Sequence, residues 1–552
     1  MSTPTPQKSN KRPTSQTSDK PASQKHHPLR FLKSLLTNRF AWTVICILAE
    51  IIILVVLYLL LYSNFFPVTI LAVVFSLGIT LYIINYYQNL EMRLLWAFIV
   101  VSLPIIGPLL FILFASNHKN QPLRAKADAL RAELKSFYPD NPALEDLKQE
   151  NPAVALQARY ICETNHISLS ERTKTTYFPI GEDYFKQLLI DLETAENFIF
   201  LEFFIICPGC MWNQILTILQ RKVNEGVEVY VMYDDIGSIF TLPSRYYRDL
   251  EAIGIHCTPS NKFNSRLNGF HNNRDHRKIV VIDGKIGYTG GLNLADEYIN
   301  VKKLHGHWKD TGIRLEGPGV TNLLTLFLTS WNLHSKTPLP PENFLPKNLQ
   351  KSNNSKTLKT SNKQPNLLNN GYVAVYGSGP APIYDQPVAK NVYLNLINSA
   401  TKSLRIATPY LICDSEIMNA LALAAEKGVD VEIITPHIPD KKIVNLMTRS
   451  NYLPLIERGV KIYEYKPGFI HAKSMLRDDD LGICGTINLD FRSLIYHFEC
   501  AAWMYKTSSL ADMSADFEKT KKSCLKITPE TARLKQPLRL IAETLKAFAP
   551  LF

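Results

Sequence analysis

The chain opens on a polar, basic segment, residues 1–39, and then turns abruptly apolar. The segment carries Lys8, Lys11, Arg12, Lys20, Lys25, Arg30, Lys33 and Arg39 against Asp19, and its Pro, Ser and Thr content predicts disorder. Three apolar stretches follow, 41–62, 66–84 and 94–115. Each is long enough to cross a hydrocarbon core of about 30 Å at about 1.5 Å per residue. They predict a helical membrane anchor over 40–118. A secretory signal fits poorly, because the first run is too long and no small-residue cleavage site follows it. A charged, helical connector is expected over 119–172. From 173 onward short β-rich runs alternate with helical spacings: a strand at 197–206, a helix at 212–223, then Gly226 and a strand at 227–232. The second half repeats this order with a strand at 403–412, a helix at 416–427, then Gly428 and a strand at 429–434. The interval from Gly226 to Gly428 nearly equals that from His276 to His471, which marks an internal duplication.

The expected fold class is α/β: two repeated α/β sandwich lobes, 173–336 and 371–525, that share one active site and follow the helical anchor. The polar segment 337–370 between them, with Pro338, Pro340 and Pro341, reads as a flexible linker. The chain is expected to end in an amphipathic helix over 526–552, capped by Thr528 and started by Pro529, with Leu538, Ile541, Leu545 and Phe548 on one face.

Charge narrows the partners without choosing among them. A formal net charge of +12 over 552 residues suits anionic lipid, phosphate esters or nucleic acid. The nine cysteines are an odd number without a disulfide pattern, and the single Cys207–Cys210 pair is a weak metal or redox signal. The basic tail places the N-terminus in the cytoplasm. Lys119, Arg124, Lys126, Arg131 and Lys135 favour the same side after the third stretch, which Pro104, Gly107 and Pro108 would let re-enter rather than cross. Together these features predict a multi-pass protein of the cell membrane with its catalytic lobes in the cytoplasm.

The chemistry lies in a pattern that occurs twice. His276, Lys278 and Asp283 recur as His471, Lys473 and Asp478, and each set is followed by a glycine turn and an asparagine: Gly290, Gly291 and Asn293, then Gly485 and Asn488. Strand alternation places each histidine and its lysine on one face. Two imidazoles and two ammoniums brought together suit a phosphodiester. One histidine attacks phosphorus, the other protonates the leaving alcohol, and the lysines hold the non-bridging oxygens. Asn293 and Asn488 would add hydrogen bonds, and the glycine turns would let backbone approach the phosphate. No metal or other cofactor is required, and a protonated lysine is no metal ligand.

These motifs resemble those of the phospholipase D superfamily and, within it, the bacterial cardiolipin synthases. The likeness rests on residues 273–283, Gly290 to Asn293, Asp296 to Tyr298 and His307 to Thr311 in the first half. In the second half it rests on Thr408 to Tyr410, Gly468 to Lys473 and Asn488 to Glu499. The resemblance implies condensation of two phosphatidylglycerol molecules into cardiolipin and glycerol through a phosphatidyl-histidine intermediate. It implies His276 as nucleophile, His471 as acid and base, and Asp310 and Glu499 as carboxylates that orient the imidazoles. Asp283 and Asp478, counted with the catalytic set, are more often structural in that family. His497 departs from the family's usual asparagine, and residues 261–272 are atypical. Phosphatidylglycerol and cardiolipin are the expected partners, with no nucleic acid. The rival readings are a phospholipase D hydrolase, a transferase using another alcohol, a nuclease of the same superfamily and a non-catalytic lipid-binding scaffold.

Overall fold

The computed structural model describes residues 66–86, 89–114, 121–136, 141–262, 273–345 and 371–551, with isolated positions between 48 and 60. The basic tail 1–39, nearly all of the first apolar stretch and most of the atypical segment 261–272 lie outside them. Residues Thr69–Phe552 form one compact unit.

Three helices open the described chain: α1 (Phe66–Tyr86), α2 (Leu90–Ser102) and α3 (Ile106–Phe114). The third expected span is broken, because Pro104 and its neighbours form a turn between α2 and α3. Among the described residues no helix is long and apolar enough to cross a membrane. The three helices instead bury a small core of Ile83, Met92, Trp96, Val100 and Phe111. They leave Leu71, Phe75, Leu94 and Phe98 exposed. Asn89 caps α2, accepting from the Met92 N–H at 3.0 Å. The start of α2 is tied to the second lobe, where Glu91 accepts from the Ser415 N–H at 2.7 Å.

The first lobe is built on strands β1 (Lys174–Phe178), β2 (Phe198–Phe203), β3 (Glu228–Asp234), β4 (His256–Ser260), β5 (Ile279–Ile282), β6 (Ile286–Gly290), β7 (His307–Lys309) and β8 (Gly312–Glu316). Seven of them pair in the order β1-β8-β6-β5-β2-β3-β4. The second lobe contributes β9 (Tyr372–Ser378), β10 (Ser403–Ala407), β11 (Leu411–Ile412), β12 (Asp430–Pro436), β13 (Lys461–Tyr465), β14 (Gly468–Ile470), β15 (Ser474–Arg477), β16 (Leu481–Gly485), β17 (Leu489–Asp490), β18 (Glu499–Tyr505) and β19 (Cys524–Lys526). Its large sheet runs β19-β13-β12-β10-β15-β16-β18-β9. Apart from the extra β19, the two orders are the same path. In each, three parallel strands follow helical crossovers and the rest are antiparallel. The repeat read from the sequence is therefore a repeat of topology.

The halves are packed as one body. Helix Val320–His334 is buried almost all round, the mark of a helix inside a core. Its Leu323 and Phe327 share one apolar cluster with Phe200 and Val281 of the first sheet and Val373 and Met504 of the second. The expected connector forms helices Gln121–Ser136, Pro142–Glu150 and Pro152–Asn165, and the last buries Val154, Ala158 and Ile161 against the second lobe.

Three local expectations need correction. The start of the linker is packed: Phe344 meets Phe198 edge-on at 5.2 Å, and Leu339 exchanges two hydrogen bonds with the Asn332 side chain at 2.7 and 2.8 Å. The strand at 403–412 splits into β10 and β11 around Pro409. The C-terminal helix breaks into Pro529–Ala532 and Leu538–Ala547, since Pro537 cannot continue a helix. Leu545 then packs near Met447, while Leu538 and Ile541 face outward. Phe327 has no exposed surface and stacks on Phe200 at 4.3 Å. Phe327→Ala is expected to cost about 3–5 kcal/mol, and calorimetry should show both lobes melting earlier in one shared transition.

Candidate active site

Each catalytic-type histidine stands just before an antiparallel strand, and its carboxylate partner comes from the other lobe. His276 precedes β5, and its Nδ1 lies 2.9 and 3.0 Å from the two oxygens of Glu499, the first residue of β18. His471 follows β14, and its Nδ1 lies 2.6 Å from Oδ2 of Asp310, between β7 and β8. The backbone repeats the crossing. The His276 N–H donates to the Phe498 carbonyl at 2.8 Å, and the His471 N–H to the Lys309 carbonyl at 2.7 Å. Strand β7 pairs in parallel with β14 across the seam. At His276 a carboxylate accepting from Nδ1–H leaves Nε2 as the reactive nitrogen; at His471, Nδ1 faces both Asp310 and, at 2.7 Å, Lys473 Nζ, which again leaves Nε2 free.

The centre is almost wholly buried. His276 and His471 are each 7% exposed, Lys278 and Lys473 1%, and Asp310 and Glu499 fully buried. Burial, reinforced by the nearby lysines, holds both histidines well below the usual imidazole value, so each is a free base at neutral pH. Burial lowers Lys278 to about 7 despite Glu499, and Lys473 to about 8 despite Asp310. It raises Asp310 to about 7 against the pull of Lys473. Lys278 Nζ donates to the His276 carbonyl at 2.6 Å, and Lys473 Nζ reaches the His471 carbonyl.

The other expected residues divide. Asn293 is buried and satisfied, accepting from the Ile205 N–H at 3.1 Å and donating to Tyr298 Oη at 2.6 Å. Asn488 donates to Asp490 at 3.1 Å, while its Oδ1 is buried without a hydrogen bond among the described residues. Gly291 serves the site indirectly, since a side chain there would collide with the Asp310 carboxylate. Asp283 and Asp478 do not join the centre. Asp283 accepts from the N–H groups of Glu196, Asn197 and Phe198 at 2.8–2.9 Å, clamping the start of β2. Asp478 does the same for β10 through the N–H groups of Thr401, Lys402 and Ser403 and the Thr401 hydroxyl. Both take left-handed backbone angles, φ 52° and 51°, which aspartate tolerates.

Sequence spacing gave no sign of the aromatic walls. Phe204 lies 5.0 Å from the His276 ring, and Tyr298, Trp308 and Phe469 lie 5.5, 5.4 and 5.7 Å from that of His471. The signal available was their position beside the motif strands. His497 stands 5.6 Å ring to ring from His276, and neither of its nitrogens makes a hydrogen bond among the described residues. Burial lowers it to about 4, so it is a neutral ring. Ligand-type atoms of His276, His497 and Glu499 lie within 4.8 Å of one another, the one such trio among the described residues, but Glu499 already serves His276.

A family model described as "Cardiolipin synthase, PLD-like domain" matches residues 393–521. The chain is 39% identical over 481 residues to an uncharacterized protein of Streptococcus mutans, covering 86% of this chain and all of that one. It is 34% identical over 463 residues to a cardiolipin synthase of Geobacillus sp., covering 83% of this chain and 88% of the relative. A phosphatidylserine synthase of Haemophilus influenzae shares the fold, with TM-score 0.52 at 16% identity over 68% of this chain and 93% of that one.

The clamp on β10 has a signature in pH. Burial pushes the Asp478 carboxyl upward, but the hydrogen bonds from Ser403, Thr401 and Lys402 outweigh it and hold the group below the usual carboxylate value. A depressed carboxyl stabilises the fold above its unfolded value, and that contribution is lost as pH falls through the folded value. Asp478→Asn is expected to cost about 1–3 kcal/mol at neutral pH, and its deficit in denaturant melts should shrink in acid.

Proposed function

Because this chain belongs to the cardiolipin synthase family of phospholipase D-like phosphotransferases, we propose that it joins two phosphatidylglycerol molecules into cardiolipin and glycerol. The observation that carries this reading is the pair of crossed imidazole–carboxylate contacts, with two buried lysines beside them. His276 Nε2 attacks the phosphorus of the first phosphatidylglycerol. The bond from phosphorus to the headgroup glycerol oxygen breaks, and that oxygen takes the proton on His471 Nε2 while Asp310 passes its own proton to Nδ1, so the ring stays neutral. His471 then removes a proton from a headgroup hydroxyl of the second phosphatidylglycerol. That oxygen attacks phosphorus, the phosphorus–nitrogen bond breaks, and His276 is restored.

The electrostatics favour this division of labour. Asp310 holds its proton up to about pH 7, so the Asp310–His471 pair carries one proton in the range where an acid is needed. Lys278 and Lys473 neutralise the non-bridging oxygens. Burial of the reacting groups, by limiting access of water, favours transfer to an alcohol over hydrolysis. The apolar residues of 40–118 would hold the enzyme in the bilayer with the lobes on the cytoplasmic side, an orientation that reporter fusions at the C-terminus test.

Mass spectrometry of products from purified enzyme and defined phosphatidylglycerol is expected to show cardiolipin and glycerol; phosphatidate without cardiolipin would identify a hydrolase. His276→Ala should reduce turnover by about 10⁴-fold or more. His471→Ala should leave radiolabelled phosphatidyl on the protein, and label that requires His471 instead would reverse the two roles. As pH rises through about 7 to 8, Lys278 and Lys473 lose their charge, so the rate should fall on that side. On the acid side His276 stays unprotonated well below the usual imidazole value, and the rate should hold.

A further inference from the structure

The catalytic seam is bordered by two surface loops, one from each lobe, that combine exposed aliphatic side chains with lysines. Residues 300–307 of the first lobe expose Val301 and Leu304, 59% and 49% accessible, on either side of the exposed Lys302 and Lys303. Residues 437–443 of the second lobe, a loop running into the first turn of helix Lys442–Ser450, expose Ile438 and Ile443, 37% and 54% accessible, flanking the exposed Lys441 and Lys442. The loops are neighbours: Cδ1 of Ile438 lies 3.2 Å from where a Cβ on Gly306 would stand.

Both loops are fastened to the catalytic centre. Asn300 exchanges hydrogen bonds with the Trp308 backbone at 2.8 and 2.9 Å, and the Trp308 ring lies 5.4 Å from His471. Asp440 accepts from Tyr410 Oη at 2.6 Å, and Tyr410 meets Phe469, which meets His471. The first loop contains no acidic residue, and the one acid of the second, Asp440, accepts from Tyr410 and lies 3.3 Å from Lys441 Nζ, leaving the pair of segments with net positive charge. Four lysines and four aliphatic tips thus stand on segments tied to the rings beside His471.

We propose that these two loops dock the catalytic mouth on the headgroup region of an anionic phospholipid leaflet. The aliphatic tips enter the acyl boundary and the lysines meet the lipid phosphates. The inference rests on the lipid chemistry proposed above and adds the surface through which the substrate arrives. A lipid then presents its phosphodiester to the histidines while its acyl chains stay in the bilayer.

The test uses the full chain reconstituted in phosphatidylglycerol vesicles with or without dibrominated phosphatidylcholine, a quencher confined to the acyl region. Leu304→Trp and Ile443→Trp are each compared with the parent. Lys427→Trp is the control, because Lys427 precedes β12 and Ile438 follows it, at opposite ends of the strand. The added emission at positions 304 and 443 is expected to fall by about half with brominated lipid, and that at 427 to stay unchanged. No quenching at 304 and 443, or equal quenching at all three, overturns the proposal. This measurement needs no turnover, so it stands apart from any failure of the cardiolipin assay. In kinetics, the double variant Leu304→Glu and Ile443→Glu should raise the phosphatidylglycerol surface fraction for half-maximal rate about tenfold. That rise should vanish when the lipid is supplied in detergent micelles. A defect of equal size in micelles also overturns the proposal, since it would mean damage to the site itself.

Discussion

Each lobe keeps half of what its own histidine needs in the other lobe. Glu499 orients His276, and Asp310 orients His471, across the seam. Neither half alone supplies the carboxylate for its own motif histidine. The shared core follows from this demand. Helix Val320–His334 packs on both sheets, β7 pairs with β14, and the Phe498 carbonyl accepts from the His276 N–H. A small shift of one sheet against the other would break both pairs together, so the interface must be as tightly packed as a domain interior.

The crossing also makes the buried charge tolerable. Placing two lysines and two carboxylates in a buried centre costs several kcal/mol per ion unless partners lie within a few ångströms. Here the opposing charges interleave. Glu499 acts to raise Lys278, and Asp310 acts to raise Lys473, yet burial still lowers both ammoniums. The result is a pocket in which Lys278, Lys473 and Asp310 sit close to the point of exchanging protons near neutrality, as general acid–base chemistry requires.

Much of this was legible in the chain. The repeated histidine and lysine positions, the matching glycines and the strand–helix rhythm predict two like lobes around one site, and the strand orders agree. Spacing alone could not say which carboxylate meets which histidine, because that depends on how the sheets face each other. It also could not separate the motif aspartates from the motif histidines. Asp283 and Asp478 look equally catalytic in sequence, yet they lie at the far ends of β5 and β15, where they tie down backbone N–H groups. Composition misled at the linker, where Phe344 and Leu345 are buried behind a polar, proline-rich start. At 94–115 the interruption legible in Pro104 is present, as the turn between α2 and α3.

The distance along the chain between cross-seam partners has a consequence for inheritance. His276 and Glu499 are separated by 223 positions, and His471 and Asp310 by 161. These remote codons form units that selection judges together, because each pair acts as one group. A lesion written in one copy is felt by the histidine of its sister, so neither repeat can decay into a passive scaffold while the other goes on working.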